Sequence, residues 1–352
     1  MKLKRVIHIL SFVVLLVGTT TVFAKDILDA REATVLIQIH NEDETFGAMG
    51  TGFFISETGK VLTNYHVIHR AYKILVWLYD RNDLNYYVGE VIGNDPVADL
   101  ALLQLKLPEH KLPVPYLTIE ADLDNMEVGS EVYAVGHPMG LDWSVTKGLI
   151  NNLTRTGIIT PYVHIIQHTA QMNQGNSGGP LLNVEGNVVG VNTYIMAPKG
   201  GDWTGVGYAT RGDTAYDSLV QMIATGKVSR PALRMGIGML NEFSGKRLQD
   251  EFPDIKIPNT YGLIVGGEVE EGSYPALQGI KRFDTIVAIN GQPTNSMSQL
   301  EEIISTVKPD EVVTLMIIRD YHFILLEYKI AQLIFDEHEK YYDERREKGI
   351  ER

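Results

Sequence analysis

The sequence predicts a mainly β protein built from two successive β-rich units, and three observations support this. Between about Glu32 and Tyr208, short β-type runs such as GTGFFIS and KVLTNYHVI are broken by Gly, Asn, Asp and Pro. Many short strands at this spacing predict an antiparallel barrel or sandwich. A second group of such runs extends from GLIVGGEV to FILLEYKI. With 352 residues, 44% of them hydrophobic, the chain is long enough to give each unit its own core.

The N-terminal segment predicts export. A basic MKLKR precedes an apolar stretch that closes with VFA, a small-residue cleavage signal at Ala24. The alternative is an uncleaved membrane anchor, because the apolar stretch is close to the length that spans a bilayer. We therefore expect a periplasmic or cell-envelope protein that is either soluble or anchored by this segment. If it has a membrane contact, we expect that contact only through such an anchor.

Charge and cysteine content exclude several function classes. The formal charge is −13, and cleavage of the signal would take it to −16 because three basic residues leave with it. So acidic a body should repel nucleic acid and anionic lipid. The chain has no cysteine, which excludes disulfides, thiol catalysis and thiolate metal sites.

Helical signals are few. DTAYDSLVQMIATG predicts a helix that ends at Gly226. Its apolar face is predicted to consist of Ala215, Leu219, Met222 and Ile223. KVSRPALR then has the composition of a linker. In the second unit SQLEEIISTV predicts one helix, with Ser298 or Ser296 as N-cap, and INGQ predicts a tight turn.

The stretch QGNSGGP surrounds Ser177 with glycines. Glycine allows backbone conformations and close approaches that a Cβ forbids, so Gly175, Gly178 and Gly179 can direct N–H groups toward the space beside the hydroxyl. Acyl transfer requires such an arrangement of a nucleophile with donors for an oxyanion. The alternative is an ordinary glycine-rich turn.

A serine nucleophile needs a base and an orienting carboxylate. His66 follows a β-type run in VLTNYHVI, where a side chain would emerge beside a cleft, and His168 is the rival because it is closer to Ser177 in the sequence. Asp99 stands directly before the apolar strand LALLQL, whereas Asp95 precedes a proline and is typical of a turn. We therefore expect His66 and Asp99 to be the partners of Ser177.

The chain order His66, Asp99, Ser177 is that of the chymotrypsin-type double barrel. TNYHVI, DLALL and GNSGGPL, with VGHPMG and VTKGLI between the last two, resemble the trypsin-like protease domain of the HtrA (Deg) family. The second unit resembles the family's peptide-binding PDZ domain. The resemblance extends from about Ala33 to Leu333. It implies a chymotrypsin-like double β-barrel followed by a PDZ domain, which is β-rich with helices.

The resemblance also implies roles for the site residues. Ser177 would be the nucleophile, His66 the general base and then acid, and Asp99 its orienting group. The oxyanion hole would be formed at Gly175, Asn176 and Ser177. Asn176 stands where digestive proteases carry an aspartate that pairs with a newly cut N-terminus, so activation should come from loop rearrangement. The family further implies a homotrimer and no cofactor or metal.

The specificity pocket departs from the family pattern. Gln171, six residues before the nucleophile, would lie at the pocket base and is followed by Met172. Neither is acidic, so we expect cleavage after small or medium aliphatic residues. The family has a small residue at the position of Gln171, proline at that of Gln174 and aspartate at that of Thr169. These differences leave open the shape of the pocket and the rigidity of its loop.

RMGIG resembles the loop that holds a peptide's C-terminal carboxylate in a PDZ domain, here Met235, Gly236, Ile237 and Gly238. The peptide would add a strand to the sheet edge, and apolar C-termini are the expected ligands. The alternative is a plain strand start. Phe283 before Asp284 departs from the Gly-Asp that the family favours.

Together these patterns predict a signal peptide or anchor at 1–24, a protease domain at 25–228, a PDZ domain at 229–334 and a charged tail at 335–352. The predicted function is an exported serine endopeptidase that cleaves unfolded or damaged envelope proteins and is regulated through its PDZ domain. The alternative is a proteolytically silent chaperone or PDZ binding protein.

Overall fold

The computed structural model describes residues 27–69, 71–79, 85–138, 143–155, 163–195, 205–258 and 262–333. The predicted signal peptide and charged tail lie outside these ranges. Within them, no helix combines the length and apolar composition needed to cross a bilayer.

Six antiparallel strands close into a first barrel. In chain order they are β1 (Thr34–His40), β2 (Phe46–Phe54), β3 (Lys60–Thr63), β4 (Lys73–Trp77), β5 (Tyr86–Asp95) and β6 (Leu100–Leu105). Their order around the barrel is β1-β2-β3-β6-β5-β4. Alternate residues of β1, namely Val35, Ile37 and Ile39, are buried in one hydrophobic cluster, as a half-buried strand requires.

A second barrel of six strands follows. Its strands are β7 (Glu131–Gly136), β8 (Ser144–Arg155), β9 (Ile165–His168), β10 (Pro180–Leu182), β11 (Val188–Ile195) and β12 (Gly207–Arg211), closed in the order β10-β11-β12-β9-β8-β7. One core cluster contains Phe53 and Leu62 of the first barrel together with Leu182 and Val191 of the second. The two barrels therefore pack on a shared apolar interface, and the predicted mainly β double barrel is confirmed.

Helix α2 (Gly212–Thr225) packs against this core and ends where the sequence predicts. Gly226 follows it with φ of 73°, a left-handed conformation that favours glycine. Of the four apolar positions, Ala215 and Met222 are buried, whereas Ile223 is 55% exposed. The helix buries a narrow stripe that includes Ser218, and Ile223 lies beyond its edge.

Within its described residues, the second unit contains a large sheet and three helices. The sheet strands are β14 (Ile237–Leu240), β15 (Gly262–Val265), β16 (Thr285–Ile289), β17 (Gln292–Pro293), β18 (Val312–Arg319) and β19 (His322–Lys329). The order is β14-β15-β16-β18-β19, with β17 paired to β16. Asn290 and Gly291 take positive φ between β16 and β17, which confirms the turn predicted for INGQ.

The prediction of a single helix in the second unit is wrong. Helix α5 (Met297–Ser305) is the predicted one, and its N-cap is Ser296, whose side chain accepts from the N–H of Gln299. The structure adds the short α4 (Tyr274–Leu277) and the longer α3 (Glu242–Glu251). Asn241 and Ser244 form a reciprocal capping box at the start of α3, a local signal that outweighs its weak amphipathicity.

The predicted linker is partly a strand. Strand β13 (Arg230–Ala232) pairs antiparallel with β20 (Ala331–Leu333), so both ends of the second unit meet in a two-stranded sheet. The Arg230 guanidinium also bonds to Asp95 of the first barrel. The composition of this segment does not indicate the strand pairing or the ion pair, because both are made with residues distant in the sequence.

Candidate active site

His66 and Asp99 meet at the mouth of the first barrel. His66 lies in the single-turn helix α1 (Tyr65–Ile68), directly after β3, and Asp99 lies in the turn before β6. The Asp99 carboxylate accepts from His66 twice, from the backbone N–H at 2.9 Å and from Nδ1 at 2.7 Å. A carboxylate only accepts, so Nδ1 carries a proton and Nε2 is the ring nitrogen that can serve as base.

Two hydrogen bonds to the Asp99 carbonyl fix the turn that contains this residue. The Asp99 carbonyl accepts from the side-chain amide of Asn64 at 2.8 Å and from the N–H of Tyr65 at 3.2 Å. Asp99 has φ of 55°, a left-handed conformation that is unusual outside glycine, and its side chain is almost wholly buried. These bonds couple the carboxylate rigidly to the segment that carries His66.

Thr193 links the carboxylate to the serine. Its hydroxyl donates to Oδ2 of Asp99 at 2.5 Å, and its carbonyl accepts from the Ser177 hydroxyl at 3.1 Å. The sequence reasoning missed Thr193, because it lies inside the run NVVGVNTYI and no neighbouring motif marks it. Thr193 therefore bonds both to Ser177, contributed by the second barrel, and to Asp99, the carboxylate that accepts from His66.

The loop around Ser177 has the conformation that its glycines predict. Gly175 and Gly178 have φ of 106° and 86°. The N–H of Asn176 donates to Asn173 O, and that of Gly178 to Asn192 O. Among the described residues, the N–H groups of Gly175 and Ser177 have no acceptor. Two backbone donors beside the serine hydroxyl are thus available for an oxyanion.

His168, the rival base, is a core residue. It lies fully buried in β9, and burial lowers its pKa to about 4, with a nearby Asn192 side chain acting in the opposite direction. Neither ring nitrogen reaches hydrogen-bond geometry with a described residue. These surroundings suit a packed, neutral imidazole.

Gln171 and Met172 differ in their surroundings. Gln171 is exposed, and its carbonyl accepts from the Thr146 hydroxyl at 2.7 Å. Met172 is buried against β12, where a Cβ on Gly207 would lie only 3.0 Å from its Sδ atom. Of these two residues, it is therefore the apolar Met172 whose side chain is shielded from water.

The predicted carboxylate-binding loop leads into an edge strand. Met235 and Gly236 precede β14, which contains Ile237 and Gly238, and the Gly236 carbonyl accepts from the N–H of Gly266 at 3.0 Å. Within the described sheet, β14 pairs with β15 alone. Its other edge therefore has backbone groups available for an added strand.

Phe283 shows why glycine is favoured at its position. Its φ is 70°, and its ring packs 5.1 Å from that of Phe252. Asp284 beside it is buried and accepts two bonds from the Arg319 guanidinium, each 2.6 Å long. The turn therefore keeps the left-handed backbone of glycine although the residue is aromatic.

Comparison with known proteins agrees with the observed fold. The model of the trypsin-like peptidase domain matches residues 50–191, and the PDZ domain model matches residues 243–318. A solved structure of the HtrA-type protease AlgW with a decapeptide superimposes with a TM-score of 0.70 at 25% identity, covering 87% of this chain and 97% of that one. The chain belongs to the HtrA family. The peptidase match of this HtrA-family chain contains His66, Asp99 and Ser177.

Two curated relatives extend the comparison. A probable periplasmic serine endoprotease, DegP-like, from Chlamydia muridarum is 35% identical over 289 residues, which are 81% of this chain and 54% of the relative. The periplasmic pH-dependent serine endoprotease DegQ from Escherichia coli is 35% identical over 279 residues, 79% of this chain and 58% of that protein. This HtrA-family chain thus spans little more than half the length of these relatives.

Proposed function

We propose that this chain is an exported serine endopeptidase that cleaves unfolded or damaged envelope proteins by an acyl-enzyme mechanism. The observation that carries the proposal is the pair of hydrogen bonds that His66 donates to the Asp99 carboxylate, at 2.7 and 2.9 Å. In the loop that carries Ser177, two N–H donors have no acceptor among the described residues. This arrangement supplies a nucleophile, an oriented base and an oxyanion site.

The reaction follows from these groups. The Ser177 oxygen attacks the peptide carbonyl carbon while Nε2 of His66 takes the hydroxyl proton, and the N–H groups of Gly175 and Ser177 stabilise the oxyanion. The intermediate expels the amine, which receives the proton from His66. Water then attacks the ester, again through His66, and Ser177 is regenerated. Asp99 holds the imidazole and stabilises its charged form.

The Ser177 hydroxyl must turn for this reaction. Its bond to Thr193 O directs the hydroxyl proton toward a carbonyl, and we infer that it rotates toward Nε2 of His66 when substrate binds. The same orientation favours the alternative function, a proteolytically silent chaperone or PDZ binding protein.

One assay separates the two functions. Cleavage of unfolded, fluorescently labelled casein is measured for the native protein and for Ser177→Ala, each with and without an apolar C-terminal peptide. Loss of cleavage in the variant is expected for the peptidase, and stimulation by the peptide is expected for PDZ control. Equal rates in both proteins, or no cleavage at all, would favour the binding protein.

We propose a preference for small or medium aliphatic residues before the cleaved bond. Support comes from Met172, which is apolar and buried, and from the absence of an acidic side chain at Gln171. Digestion of a peptide library should show Val, Ala or Leu at this position. A preference for Lys or Arg would contradict the proposal.

We also propose that the second unit binds apolar C-terminal peptides along β14. The available edge of that strand supports strand addition, and Met235, Gly236, Ile237 and Gly238 would receive the carboxylate. Titration of the protein with such a peptide and with its C-terminal amide tests this. The acid should bind and the amide should bind at least tenfold more weakly, whereas equal affinity would exclude a carboxylate loop.

Export, assembly and domain limits complete the proposal. The signal-like segment and the periplasmic names of the two curated relatives support export. We retain the predicted homotrimer and the limits 1–24, 25–228, 229–334 and 335–352. N-terminal sequencing and light scattering of the secreted protein test them: a start at Lys25 would exclude the anchor, and a monomeric mass would exclude the trimer.

A further inference from the structure

Thr51 of the first barrel holds the serine loop of the second barrel at two points. Its hydroxyl donates to the carbonyl of Gly175 at 2.7 Å, and its backbone N–H donates to the carbonyl of Ser177 at 2.8 Å. The residue is fully buried in β2. Both carbonyls that flank Asn176 are thus fixed by one residue, 124 positions from Gly175 in the sequence.

His137, directly after β7, determines which way the Thr51 hydroxyl points. Its backbone N–H donates to Thr51 Oγ1 at 3.2 Å, and its Nδ1 lies 3.2 Å from the same oxygen. Thr51 has one hydroxyl proton, which the shorter bond to Gly175 uses, so Nδ1 must be the donor. Nδ1 therefore carries a proton, and in the neutral imidazole Nε2 does not.

The surroundings of His137 keep it in that state. The residue is buried, its ring stacks edge-on against Trp143 with 4.3 Å between centroids, and burial lowers its pKa to about 3. Nε2 has no partner among the described residues. An imidazole that stays neutral cannot act as a charged group, so its contribution is that of a fixed hydrogen-bond donor.

We propose that Thr51 is a positioning residue for the oxyanion site and that His137 orients its hydroxyl. The two bonds from Thr51 fix the Gly175–Asn176 and Ser177–Gly178 peptide planes. These planes adjoin those that carry the Gly175 and Ser177 N–H groups, so both N–H groups are held toward the reacting carbonyl before substrate arrives. Neither residue touches substrate. The inference rests on the proposed function, since it presumes that Ser177 is the nucleophile.

The chain offers matched variants. Thr51→Val removes the hydroxyl at nearly constant volume, and Thr51→Ser restores it. Thr34→Val is the control, because Thr34 is equally buried in the first barrel and its hydroxyl also donates to a backbone carbonyl, Ala30 O, at 2.7 Å. His137→Leu removes the imidazole donor, whereas His137→Asn keeps an amide donor near Nδ1.

The assay measures kcat and KM on a peptide substrate, together with the affinities of a peptide aldehyde and of the matching unreactive peptide. The aldehyde forms a tetrahedral adduct with Ser177 and needs the oxyanion site, whereas the unreactive peptide does not. Thr51→Val should lower kcat and aldehyde affinity about 10- to 100-fold, less than loss of a direct oxyanion donor, with KM and peptide affinity unchanged. Thr51→Ser and Thr34→Val should stay within about threefold of native.

A second comparison tests the role of His137 and remains informative if Thr51→Val folds poorly. His137→Leu should lower kcat about 3- to 10-fold, with recovery in His137→Asn. The double variant Thr51→Val/His137→Leu should have a kcat no lower than that of Thr51→Val. Both substitutions interrupt the same chain of hydrogen bonds, which runs from His137 through Thr51 to Gly175.

Three results would overturn the inference: a native kcat in Thr51→Val, equal losses in Thr51→Val and Thr34→Val, or additive losses in the double variant. Ser177→Ala in the same assay distinguishes a failure of the proposed function from a failure of the role of Thr51. An active Ser177→Ala would defeat the proposed function itself. An inactive Ser177→Ala beside a fully active Thr51→Val would defeat only the role of Thr51.

Discussion

Arg230 and Asp95 form a buried ion pair that joins the start of the second unit to the turn before Asp99. The guanidinium lies 2.5 Å from Oδ2 of Asp95, whose side chain is 2% exposed. Ser218 donates to the same oxygen at 2.7 Å, and the Ala98 N–H donates to Oδ1 at 3.1 Å. Burial raises the pKa of Asp95, but the Arg230 charge and these hydrogen bonds outweigh it and leave the pKa below its ordinary value.

Arg230→Gln would leave this carboxylate buried without a counter-charge. Removing one partner of a buried pair costs about 3–5 kcal/mol. Because Ser218 and Ala98 still donate to Asp95, we expect the lower end, about 3 kcal/mol at pH 7. Asp95→Asn/Arg230→Gln should be less destabilised than Arg230→Gln, since it buries no charge.

The effect should depend on pH with a definite sign. In the native protein the depressed pKa of Asp95 stabilises the fold at neutral pH, and this contribution is lost as the pH falls through the acidic range. In Arg230→Gln the pKa is raised, so the carboxyl takes up a proton more readily and the destabilisation shrinks as the pH falls from 7 toward 4. The stability difference between the two proteins should therefore narrow in acid.

Urea unfolding followed by tryptophan fluorescence measures this, because all three tryptophans precede Gly212, with Trp77 in the first barrel and Trp143 directly before a strand of the second. Arg319→Gln is the control. It breaks an equally buried pair with Asp284, but within the second unit, and should leave the barrel transition unchanged. A shift below about 1 kcal/mol in Arg230→Gln would refute the reasoning. So would a double variant as unstable as Arg230→Gln.

Further predictions concern a buried histidine and a glycine. Burial lowers the pKa of His168 to about 4, so the unfolded chain binds the proton first as the pH falls below about 6.5. The proton uptake of His168 alone should lower the free energy of unfolding by about 2 kcal/mol between pH 7 and 5. In urea unfolding, the stability of His168→Asn should therefore change less with pH, and an unchanged pH dependence would contradict a lowered pKa for His168. Gly178→Ala should abolish activity and soluble folding, because φ is 86° and a Cβ would lie 2.2 Å from Thr51 O. Gly129→Ala, with φ of 96° but nothing within 4 Å, should cost only about 1–2 kcal/mol in the same unfolding assay. Equal behaviour of the two glycine variants would show that the close contact is unimportant.

Short-range patterns determined much of this protein. Strand alternation, the end of α2 at Gly226 and the hairpin at INGQ could all be predicted, because each depends on the conformational preferences of residues a few positions apart. The order and local setting of His66, Asp99 and Ser177 likewise indicated a protease site. Helix α3, which was not predicted, has a local signal in its capping pair Asn241 and Ser244, but apolar periodicity does not reveal such a pair.

Only the tertiary structure decided which donor meets which acceptor. Asp95 has the local sequence of a turn residue, yet its counter-charge lies 135 positions away, and Thr51 is one of many threonines in strands until the barrels bring it against Gly175. No sequence motif marks Thr193 either, and it bonds to Asp99, which lies 94 positions away. Local patterns report backbone preference and the face that is buried. Contacts between barrels depend on how two closed sheets pack, which no short stretch of sequence encodes.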